Sequence, residues 1–143
     1  YSEAIGATSE ATCQDCEAGK FSGQAASACS DCVAGKYSGA TGASSCTNCV
    51  AGKYSGATGA TSEATCQDCE AGKFSGQAAS TCQDCTAGKY SGSAASACSD
   101  CDAGKYSGQA ASLCQDCVAG KYSGQAASLC QDCVAGKYSS STG

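Results

Sequence analysis

The sequence has no proline, methionine, tryptophan or histidine, and its eight cations are all lysine. Each absence excludes something. With no histidine, no Ser–base pair can be assembled for nucleophilic catalysis, and the recurring carboxylates fall at turn positions; no enzymatic activity is expected. With no arginine and a net charge of −5, the chain lacks the cationic phosphate contacts that dominate nucleic-acid affinity. No apolar run approaches the roughly 20 residues of a membrane-spanning helix, so no membrane span is expected. The chain starts at Tyr1 without a secretory leader, which in an exported protein implies a leader removed or lying elsewhere. Aliphatic side chains are scarce too. Ile5, Leu113, Leu129, four Val and two Phe are all there is, far too few for a conventional hydrophobic core.

What is present instead is sulfur. Sixteen cysteines in 143 residues exceed the density that marks a disulfide scaffold, and such density is expected where thiols are oxidised, in a secreted or cell-surface setting. They fall in eight C-x-x-C pairs beginning at Cys13, Cys29, Cys46, Cys66, Cys82, Cys98, Cys114 and Cys130. Most are 16 residues apart, the third and fourth 20. A fixed short period identifies a repeat array. Residues 1–12 read as the tail of a truncated repeat: YSEAIGATSEAT matches YSGATGATSEAT at residues 54–65, and Gly6–Ser27 is identical to Gly59–Ser80. Residues 13–143 read as the array, its last repeat truncated, so the whole is expected to be a window on a longer run.

Within each repeat the nearly constant half is C-x-[DN]-C-x-A-G-K-[YF]-S. A glycine three residues after the second cysteine implies positive φ or a close chain approach. Asp before the second cysteine suggests an Asx-turn into the Ala-Gly corner. Lys-aromatic-Ser alternates polar and apolar, as in a short half-buried strand. The variable half, typically SGQAAS, carries the insertions and reads as an outer turn, or as one helical turn before the next cysteine. The expected fold is small, disulfide-rich and mainly β or irregular: a linear tandem array of ~16-residue hairpins.

Three cysteine pairings are open. In a ladder the second cysteine of each pair joins the first of the next: Cys16–Cys29, Cys32–Cys46, Cys49–Cys66, Cys69–Cys82, Cys85–Cys98, Cys101–Cys114 and Cys117–Cys130. Cys13 and Cys133 are then left for neighbouring repeats outside the window. Alternatively pairs bond crosswise in twos, or each C-x-x-C closes on itself. The ladder treats every repeat alike; the crossed scheme needs a 32-residue alternation that the sequence does not show. A disulfide closing a loop of about 15 residues contributes roughly 3 kcal/mol, while ordering sixteen residues costs on the order of 16–32 kcal/mol of backbone entropy. Stacking between neighbours must supply the remainder. A single repeat should be unstable, and the array stable only when oxidised.

The pattern C-x-x-C-x-x-G-K-Y-S…C-x-x-C, running from Cys13 to Ser139, resembles the ephrin-receptor-like cysteine-rich repeat, itself similar to tumour-necrosis-factor-receptor-type modules. The resemblance implies an extracellular, elongated, disulfide-laddered protein, and it favours the ladder pairing.

Other readings of the same residues remain. Two C-x-x-C pairs about twelve residues apart also suit a four-thiolate metal site, giving a metal-binding thiolate protein as one alternative. The aromatics Phe21, Tyr37, Tyr54, Phe74, Tyr90, Tyr106, Tyr122 and Tyr138 are read as packing groups rather than ligand platforms, because Phe replaces Tyr twice. The serine after each ring (Ser22, Ser38, Ser55, Ser75, Ser91, Ser107, Ser123 and Ser139) is a candidate O-glycan site, a regular row of hydroxyls. No catalytic, cofactor-binding or metal residues are assigned, and no cofactor is expected. The function expected is structural: an extracellular fibre, stalk or surface coat, whose partners are copies of itself along or across a filament and covalent glycans. The first alternative is the spacer region of an adhesion or receptor ectodomain.

Overall fold

The computed structural model describes Ile5, Ser9 and residues 12–142. Each repeat is started by a turn whose geometry calls for glycine. In the Cys69–Cys82 loop the Lys73 N–H donates to the Glu70 carbonyl (3.1 Å), and Gly72 between them has φ +86°. Positive φ at the third residue of a tight turn carries a steric cost for any side chain with a Cβ. The turn releases the chain into the strand Lys73–Phe74, which pairs antiparallel with Gln83–Asp84 in the register Lys73↔Asp84 and Phe74↔Gln83.

The same hairpin recurs seven times among the described residues. Lys20–Phe21 pairs with Ser30–Asp31, Lys36–Tyr37 with Thr47–Asn48, Lys53–Tyr54 with Gln67–Asp68, and Lys73–Phe74 with Gln83–Asp84. Lys89–Tyr90 pairs with Ser99–Asp100, Lys105–Tyr106 with Gln115–Asp116, and Lys121–Tyr122 with Gln131–Asp132. One small hairpin per repeat is the architecture expected from the sequence. Its second strand is not where the pattern pointed. The sequence pattern assigns Asp to an Asx-turn into the Ala-Gly corner; the residues between the two cysteines are instead the return strand, and in six hairpins the Asp side chain faces the lysine opposite. Each hairpin is closed by the bond from the second-cysteine N–H to the glycine carbonyl, such as Cys85 to Gly72 at 2.9 Å.

The outer turn is irregular rather than helical; the inserted residues of the Cys49–Cys66 loop contain a single 3-10 turn at Glu63–Thr65. In the SGQAAS and SGSAAS loops the first alanine of the Ala-Ala step is left-handed, with φ between 55° and 60° at Ala25, Ala78, Ala94, Ala110 and Ala126. The two Ala-Thr-Gly loops place Gly42 and Gly59 in that conformation.

Sulfur and hydroxyl groups make up most of the interior. Cys16, Cys32, Cys49, Cys69, Cys85, Cys101 and Cys117 are at most 2% exposed. Beside them the serines following the rings are buried at positions 38, 55, 75, 91 and 107. No buried side-chain nitrogen or oxygen among the described residues lacks a hydrogen-bond partner. The aromatic rings are only half-buried from Phe21 to Tyr106, and Tyr122 and Tyr138 are exposed. A ring on a two-residue strand has one neighbour above and one below, so it cannot be enclosed as in a layered core.

The chain divides into two compact units: Tyr1–Val50, Tyr54–Gln67 and Gln77–Thr81 form one, and Ala51–Lys53, Asp68–Gly76 and Cys82–Gly143 the other. Each unit has the same internal construction.

Candidate functional site

The chemistry of this molecule is concentrated where one disulfide-closed loop meets the next. The second unit shows it clearly. From the Cys69–Cys82 loop to the Cys85–Cys98 loop, Gly72 N–H donates to the Ser91 carbonyl (2.8 Å) and Ser75 N–H to the Ala95 carbonyl (3.2 Å). In return Ala94 N–H donates to the Cys69 carbonyl (2.7 Å), and the Ser91 hydroxyl to the Lys73 carbonyl (2.9 Å). A parallel bridge joins Phe74 to Ala95. The first unit repeats the pattern: Gly35 N–H to Ser55 (2.7 Å), Ser38 N–H to Ala60 (3.0 Å) and Gly59 N–H to the Cys32 carbonyl (2.7 Å).

Contact extends to the loop after next. A Cβ built on Gly72 would lie 2.1 Å from the Ala110 carbonyl oxygen, and one on Gly88 2.0 Å from that of Ala126. In the first unit the corresponding distances are 2.2 Å from Gly19 to Gly59 and 2.2 Å from Gly35 to Ala78. The corner glycine thus serves two needs, a left-handed backbone and space for another loop's backbone.

The cysteines are joined as Cys16–Cys29, Cys32–Cys46, Cys49–Cys66, Cys69–Cys82, Cys85–Cys98, Cys101–Cys114 and Cys117–Cys130. Cys13 and Cys133 carry free thiols, the first exposed and the second half-buried. Fourteen sulfurs are therefore held as disulfides, and a disulfide sulfur is not the thiolate that a zinc site needs.

Lysine and aspartate face each other across the hairpins: Lys20–Asp31 and Lys53–Asp68 at 2.5 Å, Lys121–Asp132 at 2.6 Å, and also Lys73–Asp84, Lys89–Asp100 and Lys105–Asp116. The hydrogen bond and charge of Asp84 raise the Lys73 ammonium above its ordinary value of 10.5. A pKa higher in the folded than in the unfolded chain stabilises the fold below 10.5 and ceases to do so as pH rises through the raised value. Lys73→Ala should accordingly lower the melting temperature slightly at neutral pH, less in concentrated salt, and not at all in strong alkali. Thermal scans across pH check this; an effect that grows with pH contradicts it.

The serines after the rings are not a surface row. Ser38, Ser55, Ser75, Ser91 and Ser107 are at most 5% exposed. The hydroxyls of Ser75, Ser91, Ser107 and Ser123 donate to the carbonyls of Lys53, Lys73, Lys89 and Lys105. Ser22, Ser123 and Ser139 are half-buried. A glycan on the five buried serines would have to displace the adjoining loop. Replacing Ser91 by Ala should cost about 1 kcal/mol in urea unfolding, the worth of one such bond. A bulky polar side chain such as Gln there should cost more, because it does not fit the seam. Equal stability of both variants would contradict this packing. Sequence reasoning missed this role, although a serine that recurs beside the ring in all eight repeats is a signal that it is built in.

Open grooves recur in the second unit. One of about 380 Å³ is lined by Phe74, Asp84, Lys89 and Cys98, one of about 250 Å³ by Tyr90, Asp102, Lys105 and Cys114, and one of about 270 Å³ by Tyr106, Asp116, Lys121 and Cys130. Each is lined by a ring, a carboxylate, the lysine of the next hairpin and a cystine sulfur; the carboxylate is the strand aspartate at Asp84 and Asp116 and, in the groove beside Tyr90, Asp102 after the second cysteine.

No helix among the described residues is long and apolar enough to cross a membrane. No curated protein matches the chain. Residues 19–66 match the family described as tyrosine-protein kinase ephrin type A/B receptor-like. The chain's disulfides together with this match suggest an extracellular or cell-surface setting. Residues 19–66 are thus similar to that receptor-like family, and the same disulfide-closed loop recurs as far as Cys130.

Proposed function

We propose that this chain is a structural repeat segment of an extracellular fibre, stalk or surface coat, without a catalytic role. The observation that carries the reading is the corner glycine packed against the backbone two loops ahead, as at Gly72–Ala110 and Gly88–Ala126. Each loop spends its backbone N–H and C=O groups on its neighbours rather than on a cleft. Contact confined to near neighbours is the interaction pattern of repeat proteins, where added repeats add stability. The partners in this reading are further loops of the same kind, along or across a filament.

A spacer in a receptor or adhesion ectodomain is the second reading, favoured by the family matched over residues 19–66. Electron microscopy of the native material separates the two. Filaments or a continuous coat containing the chain support the structural reading; discrete ectodomains ending in a recognition domain support the spacer and overturn the fibre.

A further inference from the structure

The exposed hydroxyls lie elsewhere in the repeat than beside the rings. In every Ala-Ala-Ser segment the serine is exposed: Ser27, Ser80, Ser96, Ser112 and Ser128. Among the described residues none of these hydroxyls is engaged by another protein group. We infer that these five serines, one per loop, are acceptors for O-linked sugar; this rests on the extracellular reading above.

Presentation is what sets them apart from other surface serines. Each follows the left-handed alanine by two residues. In four of the five that alanine is anchored by its N–H to the second-cysteine carbonyl of the preceding loop: Ala78 to Cys49, Ala94 to Cys69, Ala110 to Cys85 and Ala126 to Cys101, all between 2.7 and 2.9 Å. Ser80, Ser96, Ser112 and Ser128 therefore sit on a pinned turn of the same local geometry, and Ser27 shares its left-handed alanine. Its preceding neighbour is always alanine, so nothing bulky screens the oxygen on that side. Next to Ser112 and Ser128 are Leu113 and Leu129, which are 62% and 60% exposed. They give the C–H face of a pyranose an apolar surface to rest on. Ser75, Ser91 and Ser107 after the rings offer the opposite case, buried and with hydroxyls donated to a lysine carbonyl.

In the transfer, the serine oxygen attacks the anomeric carbon of a sugar activated as a nucleoside-diphosphate or polyprenyl-phosphate ester. The anomeric C–O bond to phosphate breaks, the phosphate leaves with the electron pair, and the hydroxyl proton passes to a base of the transferase.

Native protein should be weighed intact, then mapped by peptide fragmentation that preserves glycosidic bonds. The expected result is sugar mass increments on peptides containing Ser27, Ser80, Ser96, Ser112 and Ser128, with Ser38, Ser55, Ser75, Ser91 and Ser107 bare. A mass equal to the bare chain overturns the assignment, as does sugar confined to the serines after the rings or to other hydroxyls. A bare chain that still forms filaments would remove this inference alone and leave the structural reading standing.

Discussion

Alanine at position 88 should destabilise the protein by about 4 kcal/mol or more, whereas alanine at position 120 should cost only about 1–2 kcal/mol. Both glycines are the third residue of the same turn, with φ +87° and +83°. The left-handed backbone penalises a Cβ equally at the two sites. They differ in surroundings. A Cβ at Gly88 would sit 2.0 Å from the Ala126 carbonyl oxygen, while one at Gly120 meets nothing within 4 Å. Backbone cannot step aside as a flexible side chain can, so Gly88→Ala must separate the loops and release the bonds between them. Gly92, without left-handed φ and with nothing within 4 Å of an added Cβ, serves as the control and should change by about 0.5 kcal/mol or less. Urea unfolding of the three variants measures this. Equal losses at 88 and 120 would mean that turn strain, not contact between loops, is the reason for glycine.

Removing one covalent rung should have a comparable effect. Replacing Cys85 and Cys98 together by alanine should cost about 2–5 kcal/mol, because the rung closes a loop whose ends are 13 residues apart and whose buried half, Cys85, is fully enclosed. The loss should spread. The Cys85 carbonyl accepts the Ala110 N–H at 2.8 Å, and its N–H is held by the Gly72 carbonyl, so loosening this residue loosens both neighbouring loops. Amide protection should therefore fall at Ala110 as well as within the opened loop. A melting transition unchanged by the double replacement would show that the disulfide is dispensable.

Much of this could be read from residue types. The C-x-x-C spacing and its insertions gave the loop lengths, glycine three residues after each second cysteine marked the turn, and Lys-Tyr marked a strand. What the sequence left hidden depends on neighbours. The Gln-Asp of C-x-x-C has no strand signal in isolation and becomes a strand only because it returns opposite Lys-Tyr. The left-handed alanines were invisible because alanine is an unremarkable loop residue; the clue was glycine at the same place in the loops bearing Gly42 and Gly59. Burial went the wrong way for a similar reason. Side-chain type points to Tyr106 as core and Ser107 as surface, yet the ring is half-buried and the serine, 2% exposed, is enclosed by the neighbouring loop. Hydrophobicity predicts burial poorly where the interior is only as wide as one cystine and one hydroxyl.

The most direct test is amide hydrogen exchange on the oxidised chain and on the fully reduced chain in metal-free buffer. In the oxidised protein Gly72, Gly88, Ser75, Ser91 and Ala94 should exchange slowly, because their N–H groups are the ones held between loops. After reduction all five should become fast together, since no apolar interior remains to keep the loops stacked. Slow exchange that survives complete reduction at those amides would contradict the account, because the stack would then be held by something other than its cystines.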